Sequence, residues 1–386
     1  MLICAESYLI SAQPPGLPTK RAKSLENLGN SRPTASLGPL INNRGRSCIM
    51  SAILVTGGAG YVGSHACKAL AADGFLPVTF DNLSTGHRVA VRWGPFERGD
   101  LADVEALRRV IRRHRIEAVM HFAASSDVGE SMREPAPYFR NNVGGTLNLL
   151  EAMADCGVRR LVLSSTCASY GLPQVIPISE DHPQRPINPY GETKLAIERM
   201  LRWWDQVHGV SSLALRYFNA AGADPDGEIG EAHEPETHLV PIAVQTALGQ
   251  REALGIFGTD YPTPDGTAVR DYVHVTDLAD AHLAGLRYLF AGGDSLACNL
   301  GTGRGHSVRE VVRAIERVTR RPLPVRPMPR RPGDPPQLVA EPRLAFEVLG
   351  WRPRLSDLDT IVSTTCAWYA KLMPSQRSTA GASRMK

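Results

Sequence analysis

From Ala52 onward, short apolar runs alternate with amphipathic stretches. The runs are Ala52–Thr56, Leu76–Phe80, Phe96–Gly99, Ala118–His121, Leu161–Ser165 and Ser212–Phe218. Between them lie patterns of helical period such as Val104–Arg113 and Gly145–Cys156. Apolar strands of this length, separated by helical stretches, are what a parallel sheet buried on both faces demands. The pattern predicts an α/β fold built on a doubly wound parallel sheet. Beyond Asn219 the alternation breaks into Pro- and Gly-rich loops with helical patterns at Leu239–Leu248, Val275–Phe290 and Ser307–Thr319. These predict a smaller, mixed α/β C-terminal lobe. The expected organisation is a disordered extension over residues 1–50, the open-sheet domain over 51–218, the lobe over 219–372 with some segments returning to the first domain, and a frayed tail over 373–386.

Composition narrows the class. The chain has 386 residues, 43% hydrophobic and 21% charged, enough to bury a sizeable core. No run approaches the ~18 apolar residues needed to span a bilayer. Residues 1–50 hold Lys20, Arg21, Lys23, Arg32, Arg44 and Arg46 against Glu6 and Glu26, which is the whole net charge of +4. The body is therefore neutral, and it carries no cluster of basic and aromatic residues, so neither a nucleic-acid nor a membrane partner is expected. Seven scattered cysteines form no C-x-x-C pair. That argues against a disulfide framework and a zinc site, and for a reducing, cytoplasmic setting. Met1–Ile10 lacks the basic start of a signal peptide, and Met50-Ser51-Ala52-Ile53 reads like a natural protein start. Residues 1–49 are accordingly expected to be dispensable.

The first run leads straight into Thr56-Gly57-Gly58-Ala59-Gly60-Tyr61-Val62-Gly63-Ser64-His65, a G-x-x-G-x-x-G pattern that opens a helix. Gly57 suits a tight turn, Gly60 removes a Cβ where a pyrophosphate must approach, and Gly63 lets helix and strand pack closely. A pyrophosphate would sit at the helix N-terminus, where free N–H groups and the dipole favour an anion. The second run ends in Phe80-Asp81-Asn82, with Asp81 placed 24 residues after Gly57. A carboxylate there can accept hydrogen bonds from a ribose and would repel a 2′-phosphate, which selects NAD over NADP. The open-sheet domain thus reads as a Rossmann-type NAD-binding unit.

A second constellation lies further on. Tyr190-Gly191-Glu192-Thr193-Lys194 opens an amphipathic helix, and the i, i+4 spacing puts Tyr190 and Lys194 on one face. A tyrosine, with a free pKa of about 10, needs a neighbouring cation to serve as a base near neutrality. Lys194 and the positive nicotinamide of bound NAD could supply it. The fifth run ends in Ser164-Ser165-Thr166, which aims the Thr166 hydroxyl into the crevice at the carboxyl edge of the sheet.

A glycine loop, a strand-end hydroxyl and then Y-x-x-x-K resembles the extended short-chain dehydrogenase/reductase superfamily. Within it the details resemble the UDP-glucose 4-epimerases, over Ala52 to about Leu372. The segments that carry this are Val55–Ser64, Gly129-Glu130-Ser131, Asn141-Asn142-Val143, Asn188-Pro189-Tyr190-Gly191, Arg216-Tyr217-Phe218-Asn219, Phe257–Asp271, Asn299-Leu300-Gly301 and Arg330–Asp334. The resemblance implies that Gly57, Gly60, Tyr61, Val62, Gly63, Asp81, Asn82, Leu83, Ser84, Thr85, Gly86, Asp100, Leu101, Phe122, Ala123, Ala124, Asn141 and Phe218 contact NAD, joined by Thr166, Tyr190 and Lys194. It implies that Asn219, His238, Leu239, Phe257, Arg270, Arg331, Asp334 and Leu338 hold a UDP-sugar with Thr166 and Tyr190. Arg270 and Arg331 independently offer the planar, charge-assisted hydrogen bonds that a diphosphate needs. The implied reaction interconverts UDP-glucose and UDP-galactose through a 4-keto sugar, with Tyr190 as base, in a homodimer.

The sequence departs from that pattern in places. Residue 166 is Thr where many members have Ser, Ser126 stands where some have Lys, and His238 replaces an amide. Leu338 stands where narrow-specificity members carry Tyr, which leaves the N-acetylhexosamine and the xylose/arabinose pairs of UDP-sugars as alternative substrates. Cys167 and Ala168 follow Thr166 where related 4,6-dehydratases have Asp-Glu, which argues against elimination chemistry. His87, His114, His121, His182, His233, His238 and His274 form no H-x-x-x-H pattern, so no metal is expected. The Trp203-Trp204 pair is expected at a helix–helix contact.

Overall fold

A computed structural model describes residues 50–331 and 334–372. The expectations for residues 1–49 and for the tail after Leu372 lie outside the described residues. The chain first lays down β1 (Ala52–Thr56), β2 (Leu76–Asp81), β3 (Phe96–Arg98), β4 (Ile116–His121), β5 (Arg160–Thr166) and β6 (Ser211–Tyr217). Short strands follow: β7 (Asn219–Ala221), β8 (Leu254–Phe257), β9 (Val269–Arg270) and β10 (Tyr272–His274). Then come β11 (Leu296–Leu300), β12 (His306–Ser307), β13 (Val325–Met328) and β14 (Gln337–Leu338). The helices of the first half are α1 (Tyr61–Ala72), α2 (Val104–His114), α3 (Val128–Ser131), α4 (Pro135–Tyr138), α5 (Gly145–Cys156) and α6 (Pro189–His208). Those of the second are α7 (Leu239–Ala247), α8 (Val275–Phe290), α9 (Val308–Thr319), α10 (Arg343–Leu349) and α11 (Leu358–Leu372).

The main sheet has seven strands in the order β11-β6-β5-β4-β1-β2-β3, every neighbouring pair parallel. The order reverses at β1/β4, and the crevice beyond the carboxyl ends of those two strands is where such sheets bind ligands. Alternate residues of β1 feed opposite layers. Leu54 packs with Leu107, Leu149 and Leu161, whereas Ile53 and Val55 pack with Leu70, Val162 and Leu278. Both faces are thus apolar, as the unbroken hydrophobic runs require. Leu54 is fully buried, so truncation to Ala should cost about 2–5 kcal/mol.

The seventh strand is the main departure from the pattern-based expectation. β11 comes from the C-terminal half and pairs with β6, and α8 packs against α1. Its sequence, Leu-Ala-Cys-Asn-Leu, is too short and mixed to announce a strand. The rest of the second half surrounds a separate core of Val240, Val244, Val311, Ile315 and Ile361 from α7, α9 and α11. A small cluster of Cys167, Tyr170, Ile178, Phe218, Leu338 and Ala340 joins the two halves.

Candidate active site

The glycine loop lies at the switch point. Gly57 has φ +74°, and a Cβ there would sit 2.5 Å from the Ala123 nitrogen at the end of β4. No L side chain fits either that dihedral or that space. A Cβ on Gly63 would lie 2.2 Å from the Gly57 carbonyl, so the first turn of α1 packs directly on the loop. Gly60 caps α1 without a side-chain hydrogen bond, and the first turn carries no acid. The N-terminus of α1 therefore presents unspent N–H groups beside Tyr61 and Val62, both on the cavity wall. That is the donor set a dinucleotide pyrophosphate needs.

Asp81, at the end of β2, is buried, and its carboxylate accepts from the Ala59 N–H at 3.0 Å and the Leu83 N–H at 2.8 Å. It thus braces the glycine loop from the cavity wall. Asn82 donates to Asp100 at 2.7 Å, and Asp100 accepts from the Ala102 N–H at 2.9 Å, which closes the adenosine end. Asn141 lies in a π-helical turn, Phe139–Gly144. Its neighbour Asn142 bonds Thr193 at 3.0 Å and accepts from the Ser125 N–H at 2.8 Å, so one buried amide ties the crevice floor to α6. Beneath the loop, His121 bridges Thr56 at 2.6 Å and Thr146 at 2.9 Å, and burial holds it neutral, with its pKa lowered to about 3.

Helix α6 starts at the Asn188 cap, whose side chain accepts from the Gly191 N–H at 2.8 Å, with Pro189 in the first turn. This places Tyr190 on the cavity wall with Thr166 at the end of β5. Burial and the neighbouring Tyr217 push the Tyr190 phenol well above its ordinary value, and the Thr166 hydroxyl only partly offsets them. Lys194 is fully buried and donates to the Ser164 carbonyl at 2.8 Å rather than to Tyr190. Burial lowers its pKa to about 8, against a smaller opposing pull from Glu198. The cation expected to lower Tyr190 therefore stands on the same face but is tied to β5. Below it, Glu198 and Arg216 form a buried pair at 2.6 Å that locks α6 to β6.

The substrate side is assembled from distant segments. Arg270 on β9 ion-pairs with Asp334 and donates to the Pro335 carbonyl at 2.8 Å. Leu338 on β14 is in register with Arg270. The Arg331 guanidinium lies over the Phe257 ring, 4.1 Å from its centroid. Leu239 opens α7 directly after His238.

One continuous cavity of about 1620 Å³ takes in both halves. Its volume exceeds the roughly 300–1,000 Å³ of a single small-ligand site and suits two nucleotides. Of the residues named from sequence for NAD and UDP-sugar, Leu83 does not line it. Leu83 instead adopts φ +63° and turns the chain after Asp81. His238 lines the cavity, with its Nδ1 held by Glu231 at 2.6 Å. Sequence reading missed Tyr217, whose hydroxyl meets Ser164 on the cavity wall. Its place at the carboxyl end of β6 was the available signal. Also unforeseen is the meeting of Glu231, His233, Glu236 and His238, which lie within eight consecutive residues. Trp204 packs on the core, whereas Trp203 stays exposed.

Comparison with known proteins agrees with this geometry. Residues 53–301 match the NAD dependent epimerase/dehydratase family. The UDP-glucose 4-epimerase of Rhizobium leguminosarum bv. trifolii is 53% identical over 319 residues, covering 83% of this chain and 97% of that protein. A UDP-glucose 4-epimerase from Brucella ovis, solved with NAD, superposes with a TM-score of 0.80 at 53% identity, covering 82% of this chain and 97% of that one. One from Bifidobacterium longum, solved with NAD+ and UDP, gives a TM-score of 0.80 at 35% identity, covering 83% and 98%.

Proposed function

The chain belongs to the NAD dependent epimerase/dehydratase family, and from that premise we infer that it is an isomerase that interconverts UDP-glucose and UDP-galactose with NAD in the switch-point crevice. The observation that carries this reading is that Tyr190, Thr166 and Lys194 line one cavity with the glycine loop on one side and Arg270 and Arg331 on the other. NAD, held by the glycine loop and Asp81, would supply a reversible hydride acceptor for the carbon at sugar C4. The chain's own residues do the rest. Gly57, Gly60 and the first turn of α1 bind the pyrophosphate, and Asp81 and Asp100 hold the adenosine ribose. Arg270, Arg331 and Asn219 hold the UDP group while the sugar turns over. Tyr190 takes the proton of the 4-hydroxyl, directly or through Thr166, and gives it back when the sugar is reduced. Burial disfavours the Tyr190 phenolate, so its formation calls on positive charge from Lys194 and from the nicotinamide.

The protein works as a homodimer in this reading, supported by the exposed apolar residues Trp203 and Val207 on α6. The free thiols of Cys67, Cys156, Cys167, Cys298 and Cys366 support a cytoplasmic setting. Among the described residues no helix is long and apolar enough to cross a membrane. The test is to incubate the pure protein with a panel of UDP-sugars and no added NAD. Interconversion of UDP-glucose and UDP-galactose is expected. Failure of turnover even with NAD supplied would sink the reading.

A further inference from the structure

We propose that Glu231, His233, Glu236 and His238 form a site for one divalent transition-metal ion of the Zn²⁺ type, closing the loop before α7 on itself where it meets α11. The proposal goes beyond the epimerase reading and does not depend on it.

Each residue offers one ligand atom, and the four atoms all lie within 4.8 Å of one another. His238 Nδ1 stands 2.6 Å from Glu231 Oε1 and 3.3 Å from Glu236 Oε1. His233 Nδ1 stands 3.0 and 4.0 Å from the same two oxygens. A tetrahedron with bonds of about 2.0–2.1 Å has edges of roughly 3.3–3.4 Å. The four separations straddle that value, and both rings offer the same nitrogen. Two carboxylates and two neutral imidazoles carry −2, which a divalent ion neutralises. The carboxylates are almost fully buried, while His233 and His238 are 32% and 50% exposed, so the centre is deep but open to entry.

The outer contacts hold the acids in place, as they do around metal ligands generally. Glu236 Oε1 accepts from the Thr237 and His238 N–H groups at 2.8 and 2.9 Å, and its Oε2 accepts from the Tyr369 hydroxyl at 3.2 Å. The Glu231 carbonyl accepts from the Trp368 indole at 2.8 Å. Mixed nitrogen and oxygen donors favour a transition metal over Ca²⁺ or Mg²⁺, which prefer oxygen alone. The ion would close the loop on itself beside α11, next to Tyr61, whose ring stands edge-on to His233. Its role would be structural, supporting the wall that Leu239 adds to the cavity.

The test uses untagged full-length protein, stripped with a chelator and titrated with Co²⁺, then Zn²⁺. One equivalent of Co²⁺ should give the visible bands of a tetrahedral nitrogen–oxygen site, which Zn²⁺ should quench, and Zn²⁺ should raise Tm. His233→Gln with His238→Gln should abolish both responses. Tyr369→Phe should weaken binding about 10–100-fold, as loss of an outer-shell contact does. The wild-type titration decides alone should the double variant fail to fold. No saturable one-to-one Co²⁺ signal would show that the four residues are only ion pairs and would overturn the proposal. Thiolate charge-transfer bands, or unchanged binding in the folded double variant, would overturn it as well.

Discussion

The two halves of the cavity hold anions in different ways. On the cofactor side, the glycine loop from Gly57 to Gly63 contains no basic residue, and the pyrophosphate position faces backbone N–H groups at the uncapped start of α1. On the substrate side, the diphosphate position faces two guanidiniums, Arg270 and Arg331, each already engaged by an acid or a ring. The first half is a property of backbone geometry and tolerates almost no change of residue at its glycines. The second is a property of side chains brought together from β8, β9 and the segment before β14. A ligand that must never leave is held by fixed dipoles at close range. A ligand that must come and go is held by long, adaptable charges.

The seam between the halves should give the largest effect. Tyr190→Phe removes the proton-transferring hydroxyl and should lower kcat by about 10²–10⁴-fold, the range of a positioned acid–base group. UDP affinity measured by calorimetry should stay near that of the wild type, since the ring remains. Near-normal kcat would take Tyr190 out of the mechanism. The cofactor half comes next. Gly57→Ala puts a Cβ against the Ala123 backbone at a left-handed dihedral, at a cost of about 1–3 kcal/mol. That is roughly 5- to 150-fold in NAD affinity, visible as dinucleotide lost on gel filtration, with Arg331-dependent UDP binding retained.

This contrast also explains how far the sequence could be read. Gly57, Gly60, Gly63, Asp81 and Thr166 all stand at or just past strand ends, so local spacing alone locates them. Tyr190 and Lys194 share one helical face and are legible for the same reason. Asp334 and Leu338 lie 64 and 68 residues beyond Arg270 and meet it only because β9 pairs with β14. Their roles came from family resemblance rather than from spacing. Glu231 and Glu236 escaped notice because the loop folds back on itself without a helical or strand period. β11 escaped because its burial is decided by α10 and by the segment 170–180, whose Tyr170 hydroxyl and Ile178 carbonyl bond the Asn299 side chain, not by its own composition.

Substrate-side variants sharpen the comparison with smaller effects. Arg331→Ala should weaken UDP binding by at least about 10-fold, from the roughly 1.5–3 kcal/mol of a hydrogen bond to a charged group. Raising salt should weaken UDP binding in the wild type more than it releases NAD, because exposed charges are screened and buried dipoles are not. Equal salt sensitivity of both ligands would erase the proposed distinction. Lys194 gives a pH signature at the seam. Its pKa is lowered to about 8, so kcat should fall as pH rises through that value and the ammonium is lost. The unfolded chain keeps that proton up to about 10.5, so this group makes stability rise, not fall, between the two values. The activity limb is therefore separable from unfolding by parallel circular dichroism. Lys194→Met should be slower at all pH values and should lack the limb.

The smallest effect concerns substrate breadth, at the one point where the two halves share a wall. Leu338 lines the cavity yet packs with Cys167 and Phe218, one on the catalytic strand-end and the other at the cofactor edge. It is 9% exposed, so a Tyr there must either displace those neighbours or project into the sugar space. The first would cost about 1–3 kcal/mol of stability as overpacking. The second would fill the volume that an N-acetyl group at sugar C2 needs while the intermediate turns over. Discrimination by size in an apolar pocket is worth roughly 1–3 kcal/mol. We expect the wild type to turn over UDP-glucose and UDP-galactose fastest and the N-acetylated pair more slowly. Leu338→Tyr should then depress kcat/KM for the N-acetylated pair about 10-fold or more, with little change for the other. Tm of the variant separates the two routes: a lower Tm with equal losses for both pairs means that the ring has pushed into the core and that Leu338 does not set substrate size.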